Sequence, residues 1–169
     1  MVKGTTVYPS PISIAATFNN DFAFDVAKQS AREMRATGSQ WTFMPNIDIA
    51  RDPRWGRVGE TFGEDPFLVG EMGKAMIEGF QGDDFGKPSN VISCAKHMIA
   101  GGEPINGLNI SPMDVSERTL YEIHLPPYKK AIDAGVYSIM AAHNELNGIP
   151  CHMHKGLMTD LFRNEWGFD

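Results

Sequence analysis

The chain has 169 residues, enough for one domain with a sizeable core, and its 42% hydrophobic and 21% charged content is that of a globular protein. A formal net charge of −6 argues against a nucleic-acid or anionic-membrane partner, because those surfaces require a positive field. No run is apolar for long enough to cross a bilayer, the opening MVKGTTVYPS lacks the apolar core of a secretory signal, and two cysteines do not make a disulfide framework. Cys94 and Cys151 are therefore expected as small, buried, unpaired hydrophobes.

The elements alternate strand and helix four times. Thr5 to Tyr8 is a short extended run. Asn19 or Asn20 caps a helix from about Asp21 to Thr37, with Ala23, Ala27, Ala31 and Met34 at helical spacing and Gly38 closing it. Trp41 to Ala50 has the composition of a strand. Asp65 and Pro66 then open a second helix reaching about Gln81, with Met72, Ala75, Met76 and Phe80 facing inward. A polar turn over Asp83 to Asn90 leads to a third strand, Val91 to Ala100, whose apolar start suits a parallel strand covered on both faces. Asp114 and Glu117 fit a capping box for a helix near Ser116 to Ala134, which Pro126-Pro127 should bend or break. Tyr137 to Ala142 is the fourth strand, and a helix near Lys155 to Trp166 ends at Gly167. Such alternation implies parallel strands joined by right-handed crossovers, in an α/β fold. The chain starts almost without lead-in and stops after a helix, where another strand would be due, as a segment of something longer would.

The unusual residues all follow strands and precede helices, the edge that carries chemistry in barrels and open parallel sheets. Two long loops lie there, Arg51 to Glu64 and Gly101 to Met113. The first holds Arg51, Asp52, Arg54, Trp55 and Arg57. Arg51, Asp52 and Arg54 fit a local ion-pair clasp, Arg57 can either clasp Glu60 or Glu64 or read a ligand, and Trp55 can be a core aromatic. CAKHMIAGG places Lys96 and His97 near the end of a buried strand, where an ammonium needs a partner or a ligand. Neighbours on a regular strand face opposite ways, so both can reach one pocket only if the backbone departs from that geometry. SIMAAHNELNG places Met140 and His143 at another strand end. Histidines two apart in CHMH, with Cys151, would suit a metal, but no second cluster at ligand spacing accompanies them. Neither Asp48 nor Glu145 declares itself half of a catalytic carboxylate pair.

Taken together, YPSPISIAATFN, AREMRATG, PNIDIARDPRWGRVGETFGEDPFLVGEMG, CAKHMIAGG, SERTLYEIHLPPYKKAIDAG, SIMAAHNELNGIP and LMTDLFRNEWGFD resemble glycoside hydrolase family 3, the β-glucosidase and exoglucanase type, over essentially the whole chain. The resemblance implies that residues 1–169 are part of the family's N-terminal (β/α)8 domain, a partial TIM-barrel-like fold of about four β-α units. It implies that Arg57, Lys96 and His97 grip the hydroxyls of the terminal sugar in subsite −1, with Met140 and His143 also in the substrate site, and that neither metal nor cofactor takes part. Fixed charged donors suit a pyranose, whose hydroxyls point in set directions. Two positions depart from the family pattern: Met98 where an aromatic often follows Lys-His, and His143 where a tyrosine often stands near the nucleophile. GGEPINGLN lacks the Asp-x-His loop of the N-acetylglucosaminidase branch, which favours the glucosidase branch. The family's nucleophile, an aspartate, belongs just after GFD, and its acid/base to a later part of the protein, so no catalytic group is expected within these residues. The activity implied is a retaining, exo-acting β-glucosidase acting on terminal β-linked glucose. The alternatives are a β-xylosidase or other exo-glycosidase, a non-catalytic sugar-binding module, or a self-associating half-barrel. The partners implied are a β-glucoside and either the remainder of a parent chain or further copies of this one to cover an open barrel.

Overall fold

A computed structural model of the chain describes residues 4–84 and 86–169; Met1 to Lys3, at the start of the N-terminal segment, and Phe85, within the expected turn, lie outside the described residues. Two parallel strands form the centre, β1 (Cys94–Met98) and β2 (Ser138–Ala141), with Cys94 opposite Ser138 and Lys96 opposite Met140. The segment 41–50 lies along the other side of β1. It bonds to β1's segment at several points, among them Cys94 N–H to Met44 O at 2.9 Å and Ile47 N–H to Lys96 O at 2.8 Å. It forms only isolated parallel bridges, Trp41 with Ile92 and Asn46 with Lys96, rather than the continuous strand expected. Pro45 sits mid-segment and has no amide to give the ladder.

Helices cover this sheet. The helix α1 (Pro11–Ala15) follows residues 5–8, which form no strand; there the Thr6 amide and hydroxyl both donate to Glu33, each at 2.7 Å. The expected extended run at Thr5 to Tyr8 is thus tied to a helix side chain instead of a sheet. α2 (Asn20–Ala36) is capped by Asn19, whose side chain accepts from the amides of Asp21 and Phe22. Its buried stripe, Ala23, Val26, Ala27 and Ala31, is small, so α3 (Pro66–Gln81) approaches closely. The contact closes on Gly79, where an added Cβ would lie 2.4 Å from Phe24 O and 2.8 Å from Ala27 Cβ. Asp65 caps α3 through Leu68 N–H at 2.7 Å, and Met72, Ala75, Met76 and Phe80 are buried as their spacing predicts.

Residues 117–133 form one helical rod in three parts: α4 (Glu117–Thr119), a π turn over Leu120–His124, and α5 (Leu125–Asp133). Two sequence expectations are corrected here. The cap is Ser116, whose hydroxyl accepts from Thr119 N–H at 3.1 Å, and not Asp114. Pro126-Pro127 do not break the rod; they fall in the first turn of α5, after the wider π turn, where a missing amide is tolerated. The rod packs on α3, and Lys130 pairs with Glu71 while lying over the Phe67 ring. A short hairpin follows β2, with β3 (Glu145–Leu146) antiparallel to β4 (Ile149–Pro150), turning at Asn147-Gly148, both at positive φ. The last helix, Gly156–Glu165, is wound as a π-helix and stacks Phe162 on Trp166.

Candidate functional site

The C-terminal ends of the 41–50 segment, β1 and β2 converge on one edge, where the two long loops fold over them. The glycine pair after β1 explains how closely the backbones meet. A Cβ on Gly102 would lie 2.1 Å from Ile49 O, and one on Gly101 would lie 3.0 Å from Asp48 Oδ1. With no side chains there, Gly102 O accepts from the amides of Arg51 and Asp52 at 3.1 and 3.2 Å, which starts the first loop against the second. Trp55, 2% exposed, completes the join by donating its indole N–H to Asn109 Oδ1 at 3.0 Å. Its core-aromatic reading holds.

The expected clasp is partly local. Arg54 pairs with Asp52 at 2.7 Å, whereas Arg51 turns to Glu103 in the other loop, at 3.8 Å. Glu103 also accepts from buried His124 at 3.0 Å, and this bond holds its carboxyl below the usual range.

Arg57 and His97 meet directly. Arg57 Nη2 stands 3.2 Å from His97 Nε2, while Arg57 also donates to both carboxylate oxygens of Glu60, at 3.0 and 2.7 Å. Those bonds raise the Arg57 guanidinium and lower the Glu60 carboxyl from their ordinary values. His97 is held from behind by Asp48, a fully buried carboxylate: Oδ2 lies 2.8 Å from Nδ1, and Oδ1 accepts from the His97 amide at 3.3 Å.

Lys96 is half-buried and has no carboxylate partner among the described residues. Burial first, and the neighbouring Arg57 second, push its ammonium below the usual lysine value. The structural salt bridge weighed for Lys96 is not formed. The backbone does leave regular strand geometry here: the Lys96–His97 peptide is cis, and the β1–β2 register shifts between Lys96 and Met98.

A small cleft opens beside this cluster, lined by Trp55, Arg57, His97, Asn109, Ile110 and His143 among others. His143 therefore joins Arg57 and His97. Neither Lys96 nor its register partner on β2, Met140, lines the cleft. No carboxylate lines it either. Among the described residues no group of three or more His, Cys, Asp or Glu is placed to hold a metal ion; the His152 ring lies tilted beside that of His143, centroids 5.6 Å apart, and Cys151 is buried.

The model of the glycosyl hydrolase family 3 N-terminal domain matches residues 1–169. The chain belongs to that family. A β-xylosidase of Formosa agariphila is 45% identical over 169 residues, covering 98% of this chain and 23% of that protein. A periplasmic β-glucosidase of Salmonella typhimurium is 39% identical over 163 residues, covering 96% of this chain and 21% of that protein. Among solved structures, a β-glucosidase from Listeria innocua in complex with glucose superposes with a TM-score of 0.93 at 41% identity, covering 97% of this chain and 23% of that one. The chain thus spans less than a quarter of the length of these relatives, and its fold is the TIM-barrel-like one of family 3 N-terminal domains. The family's members are glycoside hydrolases, among them β-glucosidases and β-xylosidases.

Asp48, set aside in the sequence as half of a catalytic carboxylate pair, was not foreseen there as the partner of His97. Two clues to it were present: Asn46, two residues before, positioned to accept from the Asp48 amide in a tight turn, and the glycine pair that makes room for its carboxylate.

Proposed function

We propose that the protein is an exo-acting, retaining β-glycosidase that removes terminal β-linked glucose, and that residues 1–169, as part of the (β/α)8 domain, grip the sugar in subsite −1. The observation that carries this reading is the Arg57–His97 contact lining the cleft, with half-buried Lys96 next to His97 in the chain and, among the described residues, in no ion pair with a carboxylate. A buried charge without a partner is costly to keep, and a polyhydroxylated ring that desolvates it supplies the missing hydrogen bonds. His143 lines the same cleft as Arg57 and His97.

Glycoside cleavage with retention needs a nucleophile at the anomeric carbon and an acid to protonate the leaving oxygen, normally two carboxylates. Asp48 is turned to His97 and Glu60 is clasped by Arg57, so neither is free for that work. The resemblance to the family, and not these two contacts, assigns both catalytic groups to residues outside these 169. The groove between β2 and the last helix, lined by Ile139, Ala141, Met158, Phe162 and Phe168, is where the remainder of the barrel, or a second copy, would pack.

A β-xylosidase is the second reading, and the 45% identity to the Formosa agariphila β-xylosidase favours it. The two sugars differ only by the hydroxymethyl group at C5. The test is kcat/KM of the full-length native protein on 4-nitrophenyl β-glucoside and β-xyloside, with Arg57→Ala, Lys96→Ala and His97→Ala. Each substitution is expected to lower kcat/KM by roughly tenfold to a hundredfold, the worth of a hydrogen bond to a charged group. Wild-type rates from all three would overturn the assignment, and a preference for the xyloside would select the second reading.

A further inference from the structure

Asp48 is the most deeply buried carboxylate of the cluster, with a side chain fully removed from solvent. Its place is fixed three ways. The Asn46 side chain accepts from the Asp48 amide at 2.9 Å, Gly101 leaves its Oδ1 room, and both its oxygens are directed at one residue, His97. His97, in turn, is bracketed by groups of opposite hydrogen-bonding character. A carboxylate can only accept, so Nδ1 must carry a proton toward Asp48. A guanidinium can only donate, so Nε2, 3.2 Å from Arg57 Nη2, must present its lone pair. One tautomer satisfies both neighbours; the other sets an N–H against an N–H and a lone pair against a carboxylate.

We propose that Asp48 is a positioning residue that holds His97 in the Nδ1–H tautomer, so that His97 offers the sugar site its hydrogen-bond acceptor beside the donors of Arg57 and Lys96. This rests on the sugar-binding assignment above. A hydroxyl both donates and accepts. One entering at the Arg57–His97 contact replaces that 3.2 Å bond, accepting the N–H from Arg57 and giving its own proton to the Nε2 lone pair. With the tautomer reversed, the site would present donors alone and leave the hydroxyl proton unpaired.

The discriminating substitution is Asp48→Asn, which keeps the shape but removes one acceptor. The two Asp48 contacts are with the His97 amide, which can only donate, and with Nδ1. An asparagine can accept from only one of them. If its oxygen stays with the amide, its NH2 faces Nδ1 and drives the proton to Nε2, against Arg57.

The experiment uses the full-length native protein labelled with 15N-histidine, with His97→Gln to assign the resonance, and reads which imidazole nitrogen carries the proton. The wild type is expected to show Nδ1–H, with the Nε2 resonance shifting on addition of glucose. Asp48→Asn is expected to move the proton wholly or partly to Nε2 and to lower kcat/KM by roughly tenfold to a hundredfold. A wild-type proton on Nε2 overturns the proposal, and that measurement stands even if the variant fails to fold. A folded Asp48→Ala, which has no acceptor for either contact, that keeps Nδ1–H and stays within about twofold of wild-type kcat/KM overturns it as well. If instead Arg57→Ala and His97→Ala leave hydrolysis untouched, the sugar-binding assignment fails, while the tautomer is still read directly.

Discussion

Trp55 and Asn109 are joined by an indole N–H donated to the carboxamide oxygen at 3.0 Å, and this bond links the two long loops that frame the cleft. Both residues also line that cleft, so the contact that orders the loops is part of its wall. Gly107, at φ 70°, brings the second loop down onto Arg54, leaving no room for a side chain there.

Asn109→Ala is expected to leave the Trp55 N–H buried without an acceptor and to cost about 1–3 kcal/mol of stability, the usual penalty for an orphaned donor. Urea unfolding followed by tryptophan fluorescence measures this. An unchanged midpoint would show that solvent reaches the indole and that the loops are held by other contacts.

Gly79→Ala tests the α2–α3 contact. Alanine would raise local helix propensity by about 1 kcal/mol, but its methyl would meet Phe24 O and Ala27 Cβ well inside contact distance. Overpacking of this kind typically costs about 1–3 kcal/mol, so the net expectation is a lower Tm. A higher Tm would mean that the helices separate without penalty.

Lys96→Met is expected to separate stability from function. Removing a half-buried ammonium that has no ion-pair partner among the described residues should raise stability by about 0.5–2 kcal/mol, the range of favourable single substitutions, while kcat/KM falls as for Lys96→Ala. The sign follows from the lowered lysine value. The unfolded chain binds the proton more tightly, so the wild type carries the penalty in full below the depressed folded value. The penalty lifts as the pH rises through that value toward the ordinary 10.5. The stability advantage of Lys96→Met should therefore shrink with rising alkaline pH in thermal melts; an advantage that grows with pH would contradict a desolvated ammonium.

Cys94 and Cys151 are free and buried, and burial pushes both thiols above their ordinary value. Neither should react with a thiol reagent in the native protein near neutral pH, and both should react after unfolding. Fast labelling of the folded protein would place a thiol at the surface.

The helices α2 and α3 were legible because each carries its own punctuation. Asn19 and Asp65 cap them with side chains that reach no farther than three residues, and their apolar positions repeat at the helical period. The hairpin at Glu145–Pro150 was missed although Asn147-Gly148 is a strong turn pair, because its strands are two residues each and too short to show alternation. Trp41 to Ala50 reads as a strand by composition and does run beside β1, but Pro45 denies it a continuous ladder. Pro126-Pro127 read as a bend or a break; the helical rod changes to a π turn just before them but continues through them, a distinction their identity alone does not make.

By itself, the sequence determined the helices α2 and α3, the positions of β1 and β2, and the family, and it singled out the Arg57 loop and the Lys96-His97 pair as candidates from their local identity alone. Only the tertiary structure decided how those charges are arranged. Arg57 spends two of its donors on Glu60, Lys96 is left without a carboxylate, His143 joins the cleft while Met140 does not line it, and Asp48 closes on His97 from 49 residues away. The physical reason is reach. A cap or a periodic stripe is settled within a few residues, whereas the hydrogen-bonding polarity of a buried site depends on which distant donor or acceptor the fold places within about 3 Å of it.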